Sequence, residues 1–265
     1  ALQKRFFGHF LKGEDNGWDA EPRVNLKIRH VDRFVERKEQ AWPIPDTRWT
    51  RYYLEPAHAL LGTSVPAHNA SVTYEALGPG LVFMLPPSTS QLEVTGPVAA
   101  RLYVSSETTD ADLFLTVRLF TPDMKEVTFQ GANDPNTPIA QGWLRASHRK
   151  LDAARSKPWR PWHAHDEMIP LVPGEVYPLE VEIWPTSIVV PPGYRLALSI
   201  RGKDFEYAGP PVMAQHPRQE MRGGGAFVHD DERDRPQSVF GGRVTIHTGP
   251  ALPSSILLPV IPPRA

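Results

Sequence analysis

There is no cysteine in this 265-residue chain, which excludes disulfides, thiol nucleophiles and cysteine-ligated zinc. That absence fits a cytoplasmic protein. Long apolar runs are missing too: nothing reaches the 18 or so residues that a membrane-spanning helix requires. No stretch resembles a signal peptide. Neither sign of charge dominates. With 29 Lys and Arg against 30 Asp and Glu the formal charge is −1, and without a basic stripe to neutralise phosphates nucleic-acid binding is not expected. Catalytic signatures are absent as well. The chain has no G-x-S-x-G nucleophile turn, no phosphate-binding glycine loop, no G-x-G-x-x-G after a strand and no H-E-x-x-H. No cofactor and no resident metal are expected.

Proline, by contrast, is abundant: 29 residues of 265, against a usual share of roughly 5%. Its fixed φ and missing donor argue against long helices and for short strands joined by rigid turns. Period-2 alternation repeats along the chain, as half-buried strands require. It appears at residues 23–29, at Val72, Tyr74 and Ala76, at Leu92 and Val94, and at Leu102 and Val104. In the 110–120 run Leu113, Leu115, Val117 and Leu119 point one way, with Thr116 and Arg118 on the other side. Leu179, Val181 and Ile183 alternate with Glu180 and Glu182, and Leu196, Leu198 and Ile200 alternate with arginine and small residues. Breakers such as Gly78-Pro79-Gly80 and Pro191-Pro192-Gly193 separate the runs. Many one-sided strands must pair two sheets face to face. The long connections at 131–142, 150–172 and 202–240 suit an all-β jelly roll better than an up-and-down barrel.

One segment departs from this pattern. Leu2, Phe6, Phe7, Phe10 and Leu11 recur near helical spacing and Gly13 ends the run, so residues 2–12 read as an amphipathic helix. Either it covers a face of the sandwich, or it is the last helix of an upstream domain. Ala41-Trp42-Pro43-Ile44-Pro45 reads as an extended linker.

Several clusters could carry chemistry. Ser64, in Gly62-Thr63-Ser64-Val65-Pro66, is a poor nucleophile because the string ends in proline and lies between β segments; the adjacent Ser147-His148 cannot pair simply, because neighbouring strand residues face opposite ways. His163, His165, Asp166 and Glu167 have a spacing that some metal sites use. The bland reading is an ordered crossover with the histidines bonded to backbone or solvent. His229, Asp230 and Asp231 offer hard ligands for calcium, but Arg233 and Arg235 suit a salt-bridge network instead. Asp110 and Asp112 at a strand start offer ligands for calcium as well, but strand-end carboxylates are common as plain caps. Among the tryptophans, Trp143 and Trp184 are expected in the core. Trp159 and Trp162 lie in a loop, where they suit either sugar stacking or, better, packing against another domain.

These residues together resemble the C-terminal half of the X-prolyl dipeptidyl-peptidase and cocaine-esterase-like (CocE/NonD) serine hydrolases. The matching pieces are Phe6-Phe7-Gly8-His9-Phe10-Leu11-Lys12-Gly13, Trp42-Pro43, Leu92-Glu93-Val94-Thr95-Gly96-Pro97 and Asp110-Ala111-Asp112-Leu113. Gly142 to Arg149, Pro173-Gly174-Glu175-Val176 and the tail Leu257 to Pro262 continue the series. Pro192-Gly193-Tyr194-Arg195-Leu196 departs from the family's P-G-H-R-L at Tyr194. The resemblance implies a galactose-binding-like jelly-roll sandwich over 41–265. It also implies that residues 1–40 are a remnant of an upstream α/β-hydrolase domain and linker. The family's Ser-His-Asp triad lies upstream of the part matched here, so no catalytic residue is assigned and the chain alone is expected to be inactive. Phe6, Phe7, Phe10, Trp159 and Trp162 are the expected interface with that catalytic domain or, failing it, with a second copy in a homo-oligomer. The rival expectation is a carbohydrate-binding module, and a third is a calcium-stabilised structural domain.

Overall fold

Sixteen strands carry the chain in the computed structural model, which describes residues 2–210, 212–213, 220–225 and 228–264. They are β1 (Val24–Arg29), β2 (Phe34–Glu39), β3 (Arg48–Glu55), β4 (Leu60–Gly62), β5 (Ala70–Glu75), β6 (Leu81–Met84), β7 (Leu92–Ser106) and β8 (Asp112–Phe120). There follow β9 (Glu126–Val127), β10 (Ala140–Arg145), β11 (Tyr177–Val190), β12 (Arg195–Arg201), β13 (Val212–Met213), β14 (Glu220–Met221), β15 (Arg243–Thr248) and β16 (Ser255–Ile261). Part of the expected 202–240 connection lies outside the described residues. No helix among the described residues is long and apolar enough to cross a membrane.

Hydrogen bonding runs from edge to edge in the order β10-β8-β12-β6-β4-β3-β16-β7-β11-β1-β2, with β5 joined through β15 to β7. Strands far apart on this path share one core. Leu113, Leu115, Val117 and Leu119 of β8 and Leu196, Leu198 and Ile200 of β12 are buried in the same cluster as Leu102, Leu179, Val181, Ile183, Ile246 and Ile256. Side chains that share a core without sharing a ladder must face each other from opposite layers, so this is a β-sandwich. The alternation named the inward residues correctly.

The outer face of β8 is covered as well, where alternation alone would leave it half solvated. Phe114 and Thr116 are buried. The 202–240 crossover lies over them: Arg235 sits 5.0 Å from the Phe114 ring centroid, and Arg118 stands over both Phe120 and Phe205. Asp134 pins the crossover by accepting the backbone N–H of Gly223 at 2.7 Å and of Gly225 at 3.3 Å. Gly223 has φ 88°, and a Cβ there would stand 2.5 Å from Phe205, so glycine is needed at that contact.

The long β7–β11 ladder breaks once. Ile183 pairs with Val98 and Thr186 with Gly96, so Trp184 and Pro185 together oppose Pro97. Prolines have no N–H to give a ladder, and a bulge is where they are tolerated. The bulge leaves Trp184 64% exposed.

At the other end, α1 (Leu2–Lys12) forms as expected and stops at Gly13, whose φ is 67° and whose N–H reaches His9 O at 3.0 Å. This is a left-handed helix stop. Only Gly8 of α1 is buried. The β1–β2 hairpin follows, and it is clasped to the sheet edge. Arg29 donates to Ser187 O, Ile139 O and Thr186 Oγ1, and Arg37 holds Glu93 through two bonds of 2.8 and 2.7 Å. In the expected linker, Ile44 is buried at 2% exposure.

β10 approaches β11 closely at Gly142, where a Cβ would lie 2.2 Å from Glu182 O and 2.8 Å from Ile183 Cα. Gly142→Ala must push the two strands apart. The expected loss is about 1–3 kcal/mol in urea unfolding, with a changed near-UV dichroism from the adjacent Trp143 and Trp184. A variant as stable as the parent would refute the close approach.

Candidate functional site

Beside that contact lies an open cleft of about 490 Å³. Its floor is built from outward positions of three strands: Asp112 and Phe114 on β8, Trp143 and Arg145 on β10, and Glu182 and Trp184 on β11. The 146–172 crossover adds His148, His163 and His165, and the 202–240 crossover adds His229, Asp234 and Arg235. Register explains part of the floor. Trp143 pairs across the ladder with Phe114, and Arg145 with Asp112, so one strand pair delivers two rings and an ion pair to one face.

Asp112 is the hub. Its carboxylate accepts Arg145 Nε at 2.9 Å and Nη2 at 3.1 Å, and Arg235 Nε at 2.7 Å. Arg145 turns its remaining N–H groups to Asp234, at 3.0 Å on both oxygens. The side chains of Arg235 and Asp112 are only 6% and 8% exposed. Arg235 further donates to His229 O and Gly202 O. The bidentate bonds to Asp112 raise the Arg145 guanidinium further above its ordinary value. Arg145 in turn holds Asp234 below the usual aspartate range. Two buried or half-buried cations are thus matched by two carboxylates, which is the condition for tolerating them.

Neighbouring side chains engage the acidic members of both histidine–carboxylate clusters. Lys150 draws Asp166 and Glu167 to itself at 3.2 and 3.1 Å, away from the histidines. The rings of His163 and His165 are 6.0 Å apart, as are those of His148 and His165. His163 Nε2 and His148 Nδ1 are buried without a hydrogen-bond partner among the described residues, and the His163 ring is hydrogen-bonded to the backbone at Glu180. Burial lowers the His163 pKa, and the neighbouring histidines add to the shift. In the second cluster Asp231 pairs with Arg233, and His229 is held by Asp204 through its N–H and Nδ1. Arg235 reaches across to β8 instead of neutralising its own segment. Among the described residues no three His, Asp or Glu side chains form a set that could hold a metal. Asp110 caps instead: its Oδ1 accepts the N–H of Ala111 and of Ser147, both at 2.9 Å. Ser147 is 1% exposed and its hydroxyl bonds to no group, so it makes no pair with His148.

The expected interface residues have different immediate partners. Phe6, Phe7 and Phe10 are 40%, 52% and 58% exposed on α1, and the rings of Phe6 and Phe10 pack against Trp18. Trp159 is half-buried and stacks on Trp49 at 5.6 Å. Trp162 is half-buried under the Arg155 guanidinium, 3.9 Å from its centroid. Trp143 and Trp184 are the correction: expected in the core, they face outward and pack edge to face at 5.1 Å in the cleft. Their signal was available. Leu144 and Ile183 face inward, so strand parity sends the adjacent Trp143 and Trp184 outward.

Asp112→Asn leaves the buried Arg235 without its countercharge, and the expected loss is about 3–5 kcal/mol in urea unfolding. Asp231→Asn, at an exposed pair, should leave the midpoint unchanged. Acid has a defined effect. Because Asp234 titrates lower folded than unfolded, its contribution is complete above the ordinary aspartate range and is lost as pH falls through the depressed value. The melting temperature should therefore drop below about pH 4, and less steeply in Asp234→Asn.

Comparison with known proteins identifies the family. The family described as the X-Pro dipeptidyl-peptidase C-terminal non-catalytic domain matches residues 16–257. The cocaine esterase of Rhodococcus sp. (strain MB1 Bresler) is 26% identical over 98% of this chain and 46% of its own length. A putative Xaa-Pro dipeptidyl-peptidase of Streptomyces avermitilis is 24% identical over 78% of this chain and 36% of its own length. Among solved structures, a CocE/NonD family hydrolase from Staphylococcus aureus superposes with a TM-score of 0.85 at 26% identity, covering 98% of this chain and 45% of that one. The chain therefore spans less than half the length of these relatives. The match to the family covers nearly all of the sandwich, and the chain belongs to the X-Pro dipeptidyl-peptidase C-terminal non-catalytic domains of CocE/NonD-type hydrolases.

Proposed function

We propose that this chain supports an upstream catalytic α/β-hydrolase domain and walls one side of its active-site cleft. On this reading residues 1–40 are the remnant and linker of that domain, with the 24–39 hairpin clasped to the sandwich, and 41–265 form the accessory domain. The observation that carries the reading is α1. Five large apolar side chains, Leu2, Phe6, Phe7, Phe10 and Leu11, are each at least 40% exposed, and the family match begins after them, at residue 16. A contiguous aromatic face of this kind is disfavoured in water at roughly 25 cal/mol per Å² and marks an interaction surface. The names of the relatives, esterase and Xaa-Pro dipeptidyl-peptidase, support a serine hydrolase of esters or X-Pro peptides as the whole protein. A cytoplasmic setting fits the lack of cysteine. Without the catalytic domain the same face pairs with a second copy of the chain.

Two measurements test this. The chain alone should not hydrolyse p-nitrophenyl acetate or an X-Pro-nitroanilide, and turnover at enzymatic rates would end the accessory reading. The Phe6→Ser, Phe10→Ser double variant, made as this chain, should unfold like the parent at protein concentrations low enough for the parent to be monomeric. Joined to its catalytic domain it should lose about 1.5–3 kcal/mol per ring, together with activity; equal stability in both contexts would refute the docking role. Light scattering of the chain alone should show a dimer that the double variant abolishes.

A further inference from the structure

We infer that the cleft between β10 and β11 binds small organic cations, alkylated or quaternary ammonium groups above all, through Trp143, Trp184 and Glu182. This site is separate from the α1 face and stands independently of the docking proposal.

The ring geometry comes first. The planes of Trp143 and Trp184 meet at 71° with centroids 5.1 Å apart. A sugar ring stacks on an open flat face, whereas two rings set nearly at right angles make a corner. A rounded cation fills such a corner and meets the electron-rich face of an indole, the arrangement found in aromatic cages for methylated ammonium groups. Trp184 is held out by the bulge at Pro185, with 64% of its surface exposed, so the corner is open to solvent. The cleft volume of about 490 Å³ falls within the range usual for small-molecule sites.

Charge points the same way. Both guanidinium groups in the cleft are committed: Arg145 to Asp112 and Asp234, Arg235 to Asp112. Glu182 is the remaining carboxylate in the lining. It stands two residues from Trp184 along β11 and faces the same cleft. It makes no side-chain hydrogen bond or ion pair among the described residues, and burial raises its pKa against the opposing pull of Arg160. The Arg160 guanidinium lies over the rings of Trp159 and Trp162, at 5.8 and 5.2 Å. An incoming ammonium group can pair directly with Glu182 while its alkyl groups cover the indoles. On the facing wall His163 has a lowered pKa and so offers a bound cation no like charge at neutral pH.

The test uses choline, with its neutral isostere 3,3-dimethylbutan-1-ol and methyl galactoside as comparisons, followed by the indole N–H resonances of the ¹⁵N-labelled chain. Choline should shift the Trp143 and Trp184 signals saturably, with a dissociation constant on the order of 1 mM, and leave that of Trp159 in place. The isostere, which keeps the shape and loses the charge, should bind at least about 5-fold more weakly. Trp184→Ala and Glu182→Gln should each weaken choline by about 5-fold or more. Both alter solvent-accessible side chains, and an unchanged melting temperature will show that they fold. Equal binding of the isostere, indifference to Glu182→Gln, tighter binding of methyl galactoside, or no saturable shift would each overturn the proposal.

Discussion

A carboxylate buried at the start of a strand ties together parts of this molecule that lie far apart in the chain. Asp112 lies across the ladder from Arg145 and beneath Arg235. Through it the β8–β10 edge is tied to a crossover more than a hundred residues later in the chain. The energetics are asymmetric. Assembling such a group from water is close to neutral, because desolvation offsets attraction, but removing one partner strands a charge in a low-dielectric setting. The contact therefore contributes less to net stability than to specificity. It permits one placement of the 229–235 segment and penalises others, and with that segment comes one wall of the cleft.

The crossover also decides how the sandwich meets solvent. A sandwich strand ordinarily buries one face, yet β8 buries both, because Phe114, Thr116 and Phe120 are roofed by Arg235, Phe205 and the Gly223 turn. The roof is polar where it meets water and cationic where it meets rings. An arginine stem can cover apolar surface while its head stays paired or hydrated, so the layer needs no second hydrophobic core of its own.

Strand identity was legible in the sequence because alternation is a local property. Leu113, Leu115, Val117 and Leu119 announce their inward face whatever lies opposite, and the same holds for Leu179, Val181 and Ile183. The helix over Leu2–Lys12 and its stop at Gly13 were legible for the same reason. What covers the outer face of β8 was not, since it depends on contacts across eighty or more residues that no short window contains. The partners within the histidine and aspartate clusters were not legible for the same reason. Whether Asp166 serves a histidine or Lys150 is a question of side-chain direction within a loop. Trp143 and Trp184 are a different case. Parity placed them outside, while residue type suggested the core, and parity was the better guide because a packed core has no room for a side chain on the wrong face of its strand.

Why the cleft lies where it does follows from the break in the β7–β11 ladder. Two prolines face each other across it, Pro97 on β7 and Pro185 on β11, and neither has an N–H for the other strand. The ladder cannot close at that point, so an additional residue enters β11 beside the outward-facing Trp184. Gly142 then lets β10 come down against the backbone at Glu182 and Ile183, which sets Trp143 against Trp184 at contact distance. A tryptophan corner beside a carboxylate is thus a consequence of three residues chosen for what they lack: two without a donor and one without a side chain. Loops can vary around such a corner without moving it, because its position is set by sheet backbone rather than by loop conformation. That is the property a preorganised binding site requires.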